Sequence, residues 1–162
     1  NFRNPRERAQ QLAQIVSQIG PGQKRATAIN LLEQARAMLS PAAQAPDQDQ
    51  MNALLEIARA FSRYDSKRAF EILDPLIDQF NELATAARTL NGFGLDTFED
   101  GELSYSNGGS VAMVASQLSR TLATLALNNF DQAKPASDKI RLPEVRMKAY
   151  LDMADQAIQA AK

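Results

Sequence analysis

Apolar residues recur every three or four positions along most of this chain, which is the spacing of one face of an α-helix. Seven stretches show the pattern, and they begin near residues 5, 21, 47, 66, 110, 130 and 142. Because several connections between successive stretches are short, neighbouring helices are expected to run antiparallel. The pattern therefore predicts an all-α fold of about seven helices in antiparallel hairpins.

The fourth and seventh stretches carry long apolar stripes. In the fourth, the stripe stays in phase across Pro75, which predicts one kinked helix over residues 66–90. In the seventh, the apolar stripe predicted to face the core consists of Met147, Tyr150, Leu151, Ala154 and Ile158.

Residues with helix-capping side chains precede three of the stretches. Asn4 precedes Pro5 at the start of the first, and Asp65 or Ser66 is placed to cap the fourth. Ser110 is the predicted cap of the fifth stretch, because it follows Gly109 and precedes an apolar run.

Residues 91–109, named the acidic segment below, interrupt the helical pattern. Asp100-Gly101 is typical of a tight turn, and apolar residues flank it as in a short β-hairpin. We therefore predict a long loop or small hairpin here. A long interruption in a compact helical domain is more often functional than not. The candidate interaction residues in this segment are Phe93, Asp96, Phe98, Glu99, Asp100, Glu102 and Tyr105.

The aromatic residues of the acidic segment allow two interpretations. In the first, which is favoured, the rings of Phe93, Phe98 and Tyr105 fold back and cover the end of the helix stack. In the second, they are presented as a hydrophobic contact for another protein.

The composition limits the chemistry that the chain can perform. It contains no cysteine and no histidine, which excludes a disulfide, a thiolate nucleophile and a histidine base for an activated serine. A calcium-loop pattern begins at Asp96 but fails at Phe98 and Asn107, which stand at the third and twelfth positions. The acids Glu71 and Asp78 lie opposite an apolar stripe, as on a solvated helix face. We therefore predict no metal and no cofactor.

Charge is distributed unevenly along the chain. Eight basic and five acidic residues lie in 1–63, three and nine in 64–109, and seven and five in 110–162. Because the chain as a whole carries a net charge of −1, nucleic acid is not the expected partner. No apolar run approaches the length of about 20 residues that a membrane-spanning helix needs.

A weak internal repeat is visible in residues 47–162. The pairs Tyr64-Asp65 and Phe130-Asp131 each follow a long helical stretch rich in alanine and leucine and precede one that contains a proline. In these features residues 47–162 resemble the tetratricopeptide-like family of helical-hairpin repeats. The supporting residues are Ala58, Ala69, Pro75 and Pro135. The helix starts do not keep a period of about 34 residues, and the Trp and Gly-Tyr positions of that family are missing.

The resemblance implies a single domain over residues 1–162, a short right-handed α-solenoid whose concave groove recognises another protein. We therefore predict a non-enzymatic protein–protein interaction or scaffold module that binds a protein or peptide. A carboxylate-based enzyme and a helical-repeat nucleic-acid binder are the alternatives. The lack of cysteine and the start at Asn1 favour a processed or longer protein of the periplasm or secretory route, and leave a cytoplasmic protein open.

Overall fold

The computed structural model describes residues 4–18, 24–39, 45 and 47–161. Of these residues 78% are helical, in seven helices and one sheet of two strands, which confirms the predicted all-α class. The helices are α1 (Pro5–Gln18), α2 (Arg25–Leu39), α3 (Gln48–Phe61), α4 (Ser66–Leu90), α5 (Gly109–Asn128), α6 (Phe130–Asp138) and α7 (Pro143–Ala160). The strands are β1 (Phe98–Glu99) and β2 (Glu102–Leu103). The start of the second helix near residue 21 lies outside the described residues, and the right-handed solenoid stays a prediction.

The chain forms two compact units, Asn1–Leu76 and Ile77–Lys162. The boundary falls inside α4, directly after the turn that contains Pro75. This helix continues through the proline, as the phase of its apolar stripe predicts. A single domain over residues 1–162 stays a prediction.

The first unit is built on α1, α2 and α3, which pack against one another. Arg6 of α1 forms ion pairs with Asp47 at 2.9 Å and Asp49 at 2.7 Å, at the start of α3. The buried Tyr64 donates its phenolic hydrogen bond to the carbonyl oxygen of Val16 at 3.1 Å. These contacts join positions far apart in the sequence, so they fix α1 on the unit.

Side-chain caps match two of the three predicted helix starts. The Asn4 side chain accepts the N–H of Arg6 at 3.0 Å, and the Asp65 side chain accepts the N–H of Arg68 at 3.2 Å. The prediction of Ser110 as the cap of α5 is wrong, because this helix begins at Gly109 and its N-cap is Gly108, without a side-chain hydrogen bond.

The second unit is centred on α5, which packs against both α6 and α7. This helix is buried around most of its circumference, as expected of a central element. Small residues make that burial possible, and the buried hydroxyl of Ser119 donates to the carbonyl of Ala115 at 3.0 Å. A polar side chain can lie in this core because its hydrogen bond stays within its own helix.

The prediction that the stripe from Met147 to Ile158 faces the core is wrong, because a different face of α7 is buried. Val145, Ala149 and Met153 are the buried residues, whereas Met147 and Leu151 are exposed. The helix carries apolar residues on two opposite faces, so hydrophobic spacing alone does not distinguish the packed face from the other.

A buried amide joins α4 to the connection between α6 and α7. The Asn81 side chain, only 3% exposed, donates to the carbonyl of Lys139 and accepts the N–H of Arg141, both at 2.9 Å. One side chain thus forms hydrogen bonds with two backbone groups in the connection between the helices, which belongs to no helix or strand.

The Asn81→Leu variant is expected to lower the free energy of unfolding by about 2–3 kcal/mol, because it removes two hydrogen bonds made by a buried side chain. Urea unfolding followed by circular dichroism measures this change. Asn128→Leu is the matched control, since Asn128 is exposed and its amide makes a longer hydrogen bond of 3.5 Å. Equal midpoints for the two variants would contradict the role assigned to Asn81.

Candidate functional site

The acidic segment contains the β-hairpin that its sequence predicts. Phe98 pairs with Leu103, and Glu99 pairs with Glu102. The two central residues of the turn have positive φ angles, +50° at Asp100 and +84° at Gly101. Positive φ at both positions is the type I′ geometry that favours an Asp-Gly pair.

The hairpin is fixed to the end of α4 by two polar side chains. The Arg88 guanidinium donates to the carbonyl of Gly101 at 2.9 Å and lies over the Phe98 ring at 5.0 Å from its centre. The Asn91 side chain both donates to the carbonyl of Phe98 and accepts its N–H, each at 2.9 Å. Strand β1 is therefore held at α4 through both the backbone and the ring of Phe98.

The other strand of the hairpin is fixed to α7. The N–H of Leu103 donates to the Glu144 carboxylate at 2.9 Å, and Glu144 lies in the first turn of that helix. Leu103 itself is buried. The acidic segment is consequently attached to helices on both of its sides.

Gly108 closes the segment by a close approach that no other residue type permits. Its N–H donates to the carbonyl of Ser104 at 2.7 Å, and a Cβ atom at this position would lie 2.2 Å from that oxygen. Gly108 is also the N-cap of α5, two residues before the predicted cap Ser110.

The aromatic residues divide between the two interpretations that the sequence allows. Phe98 is buried at 6% exposure and covers the end of the unit, as the first interpretation predicts. Phe93 is 84% exposed, as the second requires, and Tyr105 is also exposed, at 43%. That these three aromatic residues contact another protein stays a prediction.

Phe93 lies at the tip of a tight turn, residues 90–95, named the apolar turn below. Its N–H donates to the carbonyl of Leu90 at 3.0 Å, and the N–H of Gly92 donates to the carbonyl of Leu95 at 2.8 Å. Gly92 and Gly94 have positive φ angles of +82° and +88°, which glycine adopts without strain. Leu90 and Leu95 are also exposed, so three large apolar side chains share one ordered turn.

Carboxylates surround the apolar turn and the hairpin. Asp96, Asp100 and Glu102 are exposed, and the acidic segment contains no basic residue. Glu99 has a structural contact, since it accepts hydrogen bonds from Asn107 at 2.7 Å and Ser104 at 3.2 Å. Across the described residues, no group of three acidic side chains is arranged to hold a metal ion.

Tyr105 is the titratable group of this site with the clearest perturbation. Partial burial, together with the negative charges of Glu144 and Asp152, raises its pKa from 10.0 to about 12. Each cause disfavours the phenolate. This tyrosine therefore stays neutral throughout the physiological range and is suited to hydrogen bonding rather than to proton transfer.

Compared with known proteins, the chain matches no family model, and no curated protein or solved structure matches it. The tetratricopeptide-like resemblance therefore stays a resemblance. In the part of the chain that the structure describes, no helix has the length and hydropathy to cross a membrane.

The residues that hold the acidic segment in place are not evident from the sequence. Arg88, Asn91 and Glu144 look like ordinary polar residues at helix ends, and their partners are backbone atoms 13, 7 and 41 positions away in the sequence. Gly108 had a detectable signal, because a Gly-Gly pair before a helix indicates an unusual backbone. Leu90 and Leu95 gave no signal that separates them from core residues.

Arg88→Met is expected to loosen the hairpin without unfolding the helices. Loss of one hydrogen bond and one cation–π contact removes about 1–2 kcal/mol of local stability. The amide of Ser104, which donates to the carbonyl of Thr97, should then exchange its hydrogen about tenfold faster. Arg120→Met on α5 is the control, and equal exchange of Ser104 in both variants would count against the anchor.

The raised pKa of Tyr105 gives a pH dependence with a defined sign. An unfolded tyrosine ionises near pH 10 and the folded one near pH 12, so folding stability from this group is retained below pH 10 and falls as the pH rises to 12. Ultraviolet absorbance of the wild type minus that of Tyr105→Phe isolates its titration.

Glu144→Gln should lower the pKa of Tyr105, because it removes a neighbouring charge while keeping an oxygen for the N–H of Leu103. An unchanged titration in this variant would show that Glu144 does not act on Tyr105 through its charge.

Proposed function

We propose that this chain is a non-enzymatic protein-interaction module, and that it binds another protein through the apolar turn and the carboxylates around it. The observation that carries this proposal is Phe93, which is 84% exposed on a turn whose backbone is hydrogen-bonded on both sides of the ring. An aromatic ring carried on a fixed backbone loses less conformational entropy on entering a partner's pocket than a ring on a flexible loop.

The size and chemistry of the apolar turn indicate how it would bind. A phenylalanine buries about 150–250 Å² when it is fully covered, and aromatic anchors of this kind are frequent at the centres of protein interfaces. Leu90 and Leu95 flank the ring and would exclude water around it. A single apolar pocket on the partner is the surface that fits this arrangement.

The charge of the segment restricts the partner further. Asp96 directly follows the apolar turn in the sequence, and Asp100 and Glu102 are exposed on the hairpin that comes next. Carboxylates at the rim of an interface accelerate association with a surface of opposite charge. We therefore expect a partner whose apolar pocket has a basic rim, which also distinguishes it from a nucleic acid.

The first experiment identifies the partner and the contact together. A photo-crosslinking phenylalanine analogue at position 93, in cells that express the protein, should capture a protein that the same analogue at Met113 does not capture. Met113 is exposed on α5 and lies outside the acidic segment.

With the captured protein purified, Phe93→Ala should raise the dissociation constant about 30-fold, which corresponds to about 2 kcal/mol for an aromatic anchor. Met113→Ala is the matched control and should leave the constant unchanged, and isothermal titration calorimetry measures both. Because both side chains are exposed, neither variant should change the thermal midpoint. Equal affinity of the Phe93→Ala variant and the wild type would refute the proposed contact.

The double variant Asp96→Asn, Glu102→Gln tests the basic rim separately. It should slow association about tenfold at low salt and reduce the salt dependence of the association rate, while dissociation changes little. An association rate equal to that of the wild type would contradict the basic rim on the partner, and the contact of the apolar turn would be unaffected.

A further inference from the structure

Helix α7 has an apolar face that the described residues of the chain leave uncovered. Val145, Ala149 and Met153 pack toward the core of the second unit. On the opposite face, Met147, Leu151 and Ile158 are 59%, 63% and 59% exposed. Three large aliphatic side chains exposed on one helix face mark an interaction surface rather than scattered surface residues.

The exposed residues follow the spacing of a coiled-coil seam. Met147, Leu151, Ala154 and Ile158 are separated by four, three and four positions, which is the alternation of the a and d positions of a heptad. The seam spans about 18 Å along the helix. A partner for this face is therefore another helix.

A groove of about 690 Å³ runs beside the seam and widens the apolar surface. Its walls include Leu127 of α5, Phe130 of α6, and Ala154 and Ala157 of α7. Ala154 belongs to both the seam and the groove, so a helix laid on the seam also covers part of the groove.

The charges along the other flank of the seam identify the occupant. Lys148 and Asp155 lie seven residues apart, at equivalent heptad positions of opposite charge. Lys148 also pairs with Asp152 at 2.9 Å, in the order that is less favourable within a helix than an acid before a lysine. Lys148 and Asp155 are therefore placed better for ion pairs with a neighbouring antiparallel helix than for pairing within α7.

The geometry points to a second copy of this chain as the occupant, with the two α7 helices packed antiparallel about a twofold axis. Leu151 then lies against Ala154 of the second copy, and Met147 lies against its Ile158, so large residues meet small ones near the axis. In an antiparallel pair, the flank that carries Lys148 and Asp155 faces the same flank of the second copy. Lys148 of each copy therefore lies near Asp155 of the other.

A parallel pair does not give this complementarity. It would place Lys148 of one helix beside the flank that carries Tyr150 and Ala157 of the other, where no opposite charge is available among these positions. In the antiparallel orientation a second copy of α7 supplies both the small residue that Leu151 packs against and the charge opposite to Lys148.

Sedimentation equilibrium of the 162-residue chain tests the proposal. The wild type should form a reversible dimer, and Leu151→Asp should raise its dissociation constant by at least about 100-fold, because it would bury uncompensated charges next to the axis. Ile15→Asp is the matched control, since Ile15 is an exposed aliphatic residue of α1, and it should dimerise like the wild type. Circular dichroism should show equal helicity for all three proteins.

The orientation is tested by exchanging the charges. Asp155→Lys places two lysines against each other across the interface and should weaken the dimer about tenfold, whereas adding Lys148→Glu should restore it. Phe93→Ala should leave self-association unchanged, so this result is independent of the proposed partner contact.

Three results would overturn the proposal. The first is a wild type that stays monomeric up to a concentration of about 1 mM, which is the range of the weakest specific complexes. The second is a dimer that Leu151→Asp does not weaken. The third is a charge exchange that fails to restore the dimer, which would leave another helix as the occupant or another orientation of the pair.

Discussion

The attachment of the acidic segment at two points is the constraint on which the candidate site depends. Arg88 and Asn91 hold one strand of the hairpin at the end of α4, and Glu144 holds the other strand at the start of α7. Each contact uses a side chain to satisfy a backbone group that a two-residue strand cannot satisfy itself. Because the hairpin is fixed in this way, the apolar turn that precedes it has a defined position, and Phe93 is exposed on an ordered backbone rather than on a mobile loop.

The second unit has two apolar surfaces of different character. The apolar turn is small, aromatic and surrounded by carboxylates, which suits a pocket on a different protein. The outer face of α7 is elongated and aliphatic, with charges of both signs, which suits a helix with the same pattern. If both contacts form together, each assembly presents two copies of the apolar turn, and a partner with two sites gains affinity through effective concentration.

The sequence predicts the helices and the hairpin well because their signals are local. Apolar spacing identifies the helices, and the Asp100-Gly101 pair identifies the turn through its positive φ angles. The face of α7 is not predictable in the same way, since Met147 and Val145 are equally apolar and only packing against α5 and α6 buries one of them. Within the candidate site, the sequence identifies the exposed acids and the aromatic residues. It does not separate Phe93 from Phe98, because Arg88 and the strand pairing decide which ring is covered.

The central claim is that the apolar turn is ordered while its aromatic ring is exposed, and backbone ¹⁵N relaxation tests it most directly. The account predicts order parameters for the amides of Gly92, Phe93 and Gly94 close to the value of about 0.85 that is typical of a rigid backbone. Values below about 0.6 for these amides, with rigid values in α4 and α5, would show a flexible loop and would contradict the account.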